Sequence, residues 1–570
     1  MGCFTVGITI SKKVVFLRKF TPMNKRTPLL ICILLFFLDS AFCNTWYVAT
    51  DGIDTNTGTI TTPFLTVQRA QTAAVAGDTV YIRGGNYVMT EAQIALKYSI
   101  WAYVTNLTKS GTAGKRINYW AYPGEKPVFD YTNIKPATYR IFGFNVTGSY
   151  IHLKGIEVTG VQVTILAHTQ SECFHNEGSN NIYEQLSMHD GMAIGFYLTK
   201  GSNNLVLNCD AYRNWDSVSE NGVGGNTDGF GFHPNAKGYT GNIIRGCRAW
   251  FNSDDGYDCI NAFEGTRFEN CWAFYNGYTS TFVSKGDGNG FKVGGYGAAP
   301  VVSGLPNPIP SNTVQFCMAY RNKANGFYSN HHVTMGNSFY SNTAYRNSTN
   351  FNMLSQKIMK SPSTGADTSV DCPGYNHVLH NNLSFRTNKD TANLGSCNIT
   401  YNSFTPNSGV TVDVSDFISV DEALLVAARA PDGSLPNNDF LRLKSTSDLI
   451  NKGMNLGFAF SGSAPDFGAF EYNDPNALKT IKKNNSLSEL VVFQDRSNPK
   501  VQLLHFNLSE PAKVEVRIMD VIGNLVWQNK PAPFNIGEHS LNLGVYNLKK
   551  GIYIVCLDSE VGNYSIKIAL

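Results

Sequence analysis

Four aspartates fall in two short phrases of this 570-residue chain: Asp228 in NTDGFGF, and Asp254, Asp255 and Asp258 in NSDDGYD. Carboxylates offer hard oxygen donors, so a cluster of them selects a cation such as calcium rather than zinc. Asp beside Gly is also ordinary turn chemistry, and either phrase alone reads as a turn. The spacing argues for more, because Asp228 precedes Asp254 by 26 residues, about one coil of a repeating fold, and all four acids can then converge. Like charges that close repel unless a cation neutralises them. Further on, GDGNGFKVGG sets Lys292 in a short strand flanked by Gly288, Gly290, Gly294 and Gly295, about a coil and a half after the acids. A lone lysine reads first as a solvated surface charge. The glycines, however, let a polymer backbone approach closely, and a lysine beside a dication can lose its proton and act as a general base. Asp287, in the same phrase, is placed behind these groups as a supporting residue.

Convergence needs a scaffold that repeats, and the chain supplies one. The phrase AYRN at Ala211–Asn214 returns as AWFN at Ala249, AFYN at Ala273, and AYRN at Ala319 and Ala344, in steps of 38, 24, 46 and 25 residues. The two short steps match one turn of a parallel β-helix, in which each coil lays three short strands on the one before. The longer steps imply an inserted loop or two coils. Cys209, Cys247, Cys271 and Cys317 each stand two residues before the Ala, which predicts a column of small buried side chains rather than a metal cluster or disulfides. Asn214, Asn252, Asn276, Asn322 and Asn347 predict a turn ladder of amides. Upstream, TVQRAQTAAVAGDTVYI reads as a short amphipathic helix and a strand, suited to cap the open end of such a core. Past about residue 405 the period fades, and Ser419 and Glu422 are spaced as the capping box of a further helix.

The predicted fold is therefore all-β: a right-handed parallel β-helix with an N-terminal capping helix, over residues 44–475, followed by a small C-terminal β-sandwich. Only 16% charged residues, with 52 glycines, fit short strands and turns. The formal charge of +3 comes from the N-terminus. Residues 1–43 hold six Lys/Arg and one Asp, which leaves 40 basic against 42 acidic residues beyond them. That balance lacks the basic footprint of a nucleic-acid binder. Residues 23–43 have a basic start, a short apolar run and a small residue before the cut, the layout of a signal peptide. The run is about half the length of a membrane span, and residues 1–22 read as an over-extended start. Residues 476–489 are polar and linker-like. From about 490 to 570 alternating strands form the sandwich.

The order DGF, GCRAWFNSDDGYD, FENCWAFYNG and GDGNGFKVGG resembles polysaccharide lyase family 9, the pectate lyases and related rhamnogalacturonan lyases, over most of residues 45–475. The resemblance implies that Asp228, Asp254, Asp255 and Asp258 ligate Ca2+ and that Lys292 is the base of a β-elimination on a pectic polysaccharide, either polygalacturonate or rhamnogalacturonan I. The chain departs from that family after DGF, where a lysine is common and GFHPNAKG places His233. A substrate carboxylate contacted at that position would be read differently, so His233 bears on polymer preference. The run VRIMDVIGNLV with the terminal IKIAL resembles the C-terminal sorting domain of the type IX secretion system, which implies a partner in that machinery and a product that is secreted or attached to the cell surface. A monomer is expected. Three other readings compete. A polygalacturonase-type hydrolase shares NTD and DD phrases, but its GHG and RIK motifs are missing. A non-catalytic glycan-binding β-helix would have no use for acids in register with a lysine. The C-terminal module could instead bind carbohydrate, although its aromatics fall at strand positions suited to a core.

Overall fold

The computed structural model describes residues 43–297, 304–333, 335–458 and 460–472 and, of the C-terminal region, 487–494 and most of 502–569. The expected N-terminal extension and signal peptide, and most of the linker, lie outside the described residues. Strands of mostly two to five residues stack into three sheets of 12, 10 and 11 strands, parallel except where Leu96–Tyr98 pairs antiparallel with Trp101–Leu107 at the end of the third. Each coil gives one strand to each sheet: Ile243–Arg245, Arg248–Trp250 and Tyr257–Asp258 make one coil, and Arg267–Glu269 opens the next. The AYRN-type strands Asp210–Tyr212, Arg248–Trp250, Trp272–Phe274, Met318–Tyr320 and Thr343–Tyr345 are successive neighbours in the 10-stranded sheet. Every step of the repeat is thus one coil, and the long steps carry inserted loops. The same holds for Asp258 to Lys292, which pair directly in adjacent strands, one coil apart rather than a coil and a half.

Period-two alternation explains what each strand buries. In the 11-stranded sheet Phe230, Tyr257, Phe291, Phe327 and Phe351 all point inward, fully buried. They stack face to face at 4.6–5.2 Å with interplanar angles of 4–14°. The residues that follow Tyr257 and Phe291, Asp258 and Lys292, therefore point outward. At the corner after each strand of the 10-stranded sheet, Arg213, Phe251, Tyr275, Arg321 and Arg346 take φ between +47° and +59°, a left-handed turn that costs about 1–2 kcal/mol each. The asparagine that follows each offsets that cost. Asn276 Nδ2 donates to Ala249 O at 3.0 Å and to Asn322 Oδ1 at 2.9 Å, while its own Oδ1 accepts from Asn252. The ladder runs from Asn214 to Asn347 as expected. The cysteine column is buried and unbridged. Each sulfur lies opposite a backbone N–H of the preceding coil, as Cys247 Sγ does for Cys209 N at 3.3 Å. Asn342 continues that column by accepting from Cys317 N, so these cysteines occupy a corner position that asparagine serves elsewhere.

The helix Val67–Ala73 is capped by Thr66 and buries Val67 and Ala70 against the first coils. The helix expected after Ser419 is a 3-10 turn, Glu422–Val426, capped by Asp421. Glu422 is unavailable for a capping box because its carboxylate accepts from Tyr275, Tyr320 and Arg321. This segment covers the outer face of the 10-stranded sheet, where Tyr212, Trp250 and Phe274 stack at 7° and meet Phe417, Leu425 and Phe440. In the C-terminal module the first strand begins at Leu487, three residues before the expected boundary. Two antiparallel sheets bury Leu504, Phe506, Val516, Ile518 and Val555.

Asn276→Ala strands buried N–H and C=O groups in three coils and lowers unfolding stability by about 3 kcal/mol, read from urea midpoints. His332 and His377 are buried and adjacent, at 5.8 Å between ring centres. Burial, reinforced by His377, pushes His332 down to about 3, and burial pushes His377 down to about 4. Both bind protons more readily when unfolded, so their contribution is complete above about pH 6.5 and is lost as pH falls towards those values. Stability falls by about 2 kcal/mol or more between pH 7 and pH 5, and His377→Gln flattens that slope.

Candidate active site

Three successive coils of the 11-stranded sheet build the acidic site. A recurring triplet of Asp or Asn, Gly and an aromatic residue sets it up: Asp228-Gly-Phe, Asp255-Gly-Tyr, Asn289-Gly-Phe and Asn325-Gly-Phe, one per coil. The aromatic enters the inner stack. The glycine is obligatory, since a Cβ at Gly256 would stand 2.7 Å from Gly290 O and 2.8 Å from the ladder amide of Asn276. The polar residue before it is thereby held at the edge of the outer face.

All the acids expected at the site except Asp287 are buried, as is Lys292 at 8% exposure. Carboxylate oxygens of Asp228, Asp255 and Asp258 lie within 4.8 Å of one another, and so do those of Asp254, Asp255 and Asp287. Asp255 belongs to both groups. Its Oδ1 accepts from Asn289 N at 2.6 Å and Asn289 Nδ2 at 2.8 Å. Asp228 Oδ1 accepts from Asp255 N, Asp254 Oδ1 from Asp287 N, and Asp258 Oδ1 from Ile260 N. Each acid is therefore aimed by a backbone bond on one oxygen, with the other left for a ligand. Lys292 Nζ lies 3.0 Å from Asp255 Oδ2, 3.6 Å from Asp258 and 3.8 Å from Asp287. The contact with Asp255 Oδ2 is an ion pair without hydrogen-bond alignment, and that buried oxygen has no aligned donor.

Burial, then the neighbouring acids, raises Asp228 and Asp254 well above the usual carboxylate range. Asp255 is raised by burial against the opposing pull of Lys292. For Lys292 burial favours the neutral amine, but the combined charge of Asp255, Asp258, Asp254 and Asp228 outweighs it and holds the proton on. This set of buried hard oxygens, four carboxylates against one lysine, fits a divalent cation.

His233 donates from Nδ1 to Ile260 O at 2.7 Å, so Nε2 carries the lone pair, buried and without a donor. Burial keeps the ring neutral. Through Ile260 it braces the turn whose N–H holds Asp258, and its ring stacks on Tyr197 at 4.7 Å. Asp287 stands at the rim, 71% exposed. Its loop is pinned by Lys323 Nζ on the carbonyls of Lys285 and Gly286. Sequence reasoning missed Asn289 and Asn325. Asn289 orients Asp255 and in turn accepts from Asn325 Nδ2 at 2.8 Å. The recurring triplet was the signal that marks both. Tyr328, in register with Lys292 one coil on, was missed as well.

A family model described as the Pel9A-like right-handed β-helix region matches residues 46–388. One described as a secretion system C-terminal sorting domain matches residues 498–570. Pectate lyase L of Dickeya chrysanthemi is 33% identical over 438 residues, 75% of this chain and 90% of that protein. Among solved structures, a rhamnogalacturonan lyase is 45% identical with a TM-score of 0.66, covering 70% of this chain and 97% of its own. Pectate lyase Pel9A is 31% identical with a TM-score of 0.59, covering 75% and 96%. These likenesses leave the hydrolase and non-catalytic readings without support, and the sorting-domain match stands against a carbohydrate-binding tail. The chain therefore belongs to the Pel9A-like right-handed β-helix family, as a polysaccharide lyase that its type IX sorting domain directs to the medium or the cell surface.

Proposed function

We propose that this enzyme cleaves galacturonate-containing pectic polymers by β-elimination, with Ca2+ held by Asp228, Asp254, Asp255 and Asp258 and Lys292 as the base. The observation that carries the reading is the buried Lys292 Nζ facing Asp255 and Asp258 on the outer face of adjacent coils. When bound, calcium supplies Lewis-acid stabilisation of the uronate carboxylate and of the charge that develops beside it. The protein's own groups do the rest. Asn289 and the backbone N–H groups each occupy one oxygen of an acid and so aim the other. Lys292 is positioned by Asp255 and Asp258, and neutralising those carboxylates removes the charge that holds its proton. The neutral amine takes the C5 proton, the C4–O bond breaks, and the leaving oxygen is protonated from solvent, which leaves a 4,5-unsaturated uronate.

Of the two backbones, the alternating rhamnogalacturonan suits the flanks of the site better. Tyr197 and His233 lie on one side and Tyr328 and Asn352 on the other, none of them cationic. The nearby Lys285 and Lys323 are tied to backbone carbonyls. A polymer with a carboxylate on every sugar would demand more positive charge along this face.

Conjugated product, followed by ultraviolet absorbance on polygalacturonate and on rhamnogalacturonan I, appears with calcium and vanishes with chelator. Lys292→Ala lowers the rate about 10³-fold while leaving the fold intact. Because the base acts neutral, activity rises with pH from neutral into the alkaline range, and an acidic optimum contradicts the assignment. Reducing ends without absorbance, indifferent to chelator, would sink the calcium–lysine scheme. Asp228→Asn tests the electrostatics without turnover. A carboxyl raised in the folded state binds its proton more tightly there, so the metal-free wild type is penalised at neutral pH and recovers on acidification. In chelator at pH 7 the variant melts higher, by about 1 kcal/mol or more, the two converge at low pH, and calcium stabilises the wild type more strongly.

A further inference from the structure

A second group of outward-facing rings lies on a different sheet. Tyr47, Tyr81 and Trp120 pair in register across the first strands of the 12-stranded sheet, with Val48, Val80 and Tyr119 as their buried inward neighbours. Tyr122 follows at the next corner. The rings meet at angles: Tyr81 and Trp120 at 63°, Tyr81 and Tyr122 at 74°, and Trp120 and His152 at 80°. On the covered 10-stranded sheet the corresponding column lies flat at 7°, so its faces are consumed by one another. Here they are not.

Tyr81, Trp120 and Tyr122 line a cleft of about 660 Å³, closed by the turns at 154–157 and 185–187 and by the loop at 429–433. That volume suits one or a few sugar rings. The Trp120 indole N–H is buried with no acceptor. The cleft's acids are already paired, Glu125 with Arg83 and Glu157 with His189. Arg429 is held by Asp210, and Lys154 by Glu184. Lys126 is exposed at the cleft, and its charge helps hold Glu157 ionised beside His189 without a direct ion pair.

We propose that this cleft is a second, non-catalytic binding site for a uronate-bearing oligosaccharide. The angled rings offer surfaces to the C–H face of a pyranose, and Lys126 offers a charge to its carboxylate. The identity of the ligand rests on the function proposed above. Holding the same polymer at two faces of one molecule raises its effective concentration at the acidic site without any new catalytic group.

The test is retention of the full-length protein on immobilised polygalacturonate in chelator, where no turnover occurs. Trp120→Ala and Lys126→Glu each weaken retention roughly tenfold, equivalent to about 1.4 kcal/mol, and neither changes the rate on whichever short soluble oligosaccharide, of galacturonan or rhamnogalacturonan I, the wild type cleaves faster. Lys126→Glu leaves retention on a neutral glucan unchanged. If Trp120→Ala lowers the melting temperature, Lys126→Glu, at an exposed position, carries the test alone. Unchanged retention in Lys126→Glu, or no retention of the wild type in chelator, overturns the site. Loss on neutral glucan equal to the loss on polygalacturonate overturns the uronate assignment. Retention without any lyase activity would leave the cleft standing and remove the reaction proposed for Lys292.

Discussion

The inward aromatic stack of the 11-stranded sheet is the constraint on which the site depends. The strands Tyr257–Asp258 and Phe291–Lys292 are two residues long, too short for their own backbone bonds to hold a register. A slip of one residue would turn Asp258 and Lys292 inward and expose two aromatic rings. Each ring buried in the stack contributes about 2–3 kcal/mol, and burying either charge unpaired costs several more. The Asn ladder fixes the same register from the other side. Its amides reach within 2.9 Å of where a Cβ would sit on Gly229, Gly256, Gly290 and Gly326, so the triplet before each aromatic must carry glycine at its centre. Scaffold and site thus share their residues, and the acid that precedes each glycine has little freedom to move.

That rigidity permits an arrangement otherwise unfavourable. Four buried carboxylates against one lysine crowd like charges in a poorly solvated place, which is why Asp228 and Asp254 hold a proton well above the usual carboxylate range. Asp255 is the most exposed to this conflict. Asn289 satisfies its Oδ1 with two short bonds, while Oδ2 faces Lys292 without alignment. A flexible loop would move such groups apart. Here each acid is tied by a backbone N–H of the neighbouring turn, so the electrostatic cost is retained in the folded state and becomes available to whatever cation or substrate relieves it.

Much of this was legible in the sequence because a solenoid writes its geometry as phase. The AYRN returns marked the coils, and the residues at fixed offsets from them, the cysteines and asparagines, became columns. Asp228, Asp254, Asp255, Asp258 and Lys292 came together for the same reason. Loop insertions broke the arithmetic: residues 278–288 lie between neighbouring strands and made Lys292 look half a coil further away than it is. Asn289 and Asn325 are uncharged and so silent in the charge pattern, although they occupy the aspartate position of their own coils. His233 stood at an unusual position, but its bond to Ile260 O depends on a turn in the next coil. Glu422 looked like a capping residue because spacing carries no information about Tyr275, Tyr320 and Arg321, more than 100 residues away.

The three faces of the helix show how ring orientation decides what a sheet can do. On the 10-stranded sheet, Tyr212, Trp250 and Phe274 lie flat on one another, present an apolar strip, and are covered by residues from Phe417 to Leu443. On the 11-stranded sheet a column of rings from Phe230 to Phe351 fills the inward positions, which places Asp258, Lys292 and Tyr328 on the outer face. On the first strands of the 12-stranded sheet the inward positions belong to Val80 and Tyr119, and Tyr81 and Trp120 face outward at steep angles to each other. Nothing in local strand propensity separates these cases, since each is a short β segment with an aromatic at alternate positions. The difference lies in whether neighbouring coils repeat a ring at the same phase, which allows flat stacking, or interpose a different side chain. Trp120 is followed in register by Lys154 and then Glu184, so the column ends there and its last ring has no flat partner. The same termination of a repeat that leaves Trp120 uncovered also opens the cleft beside it.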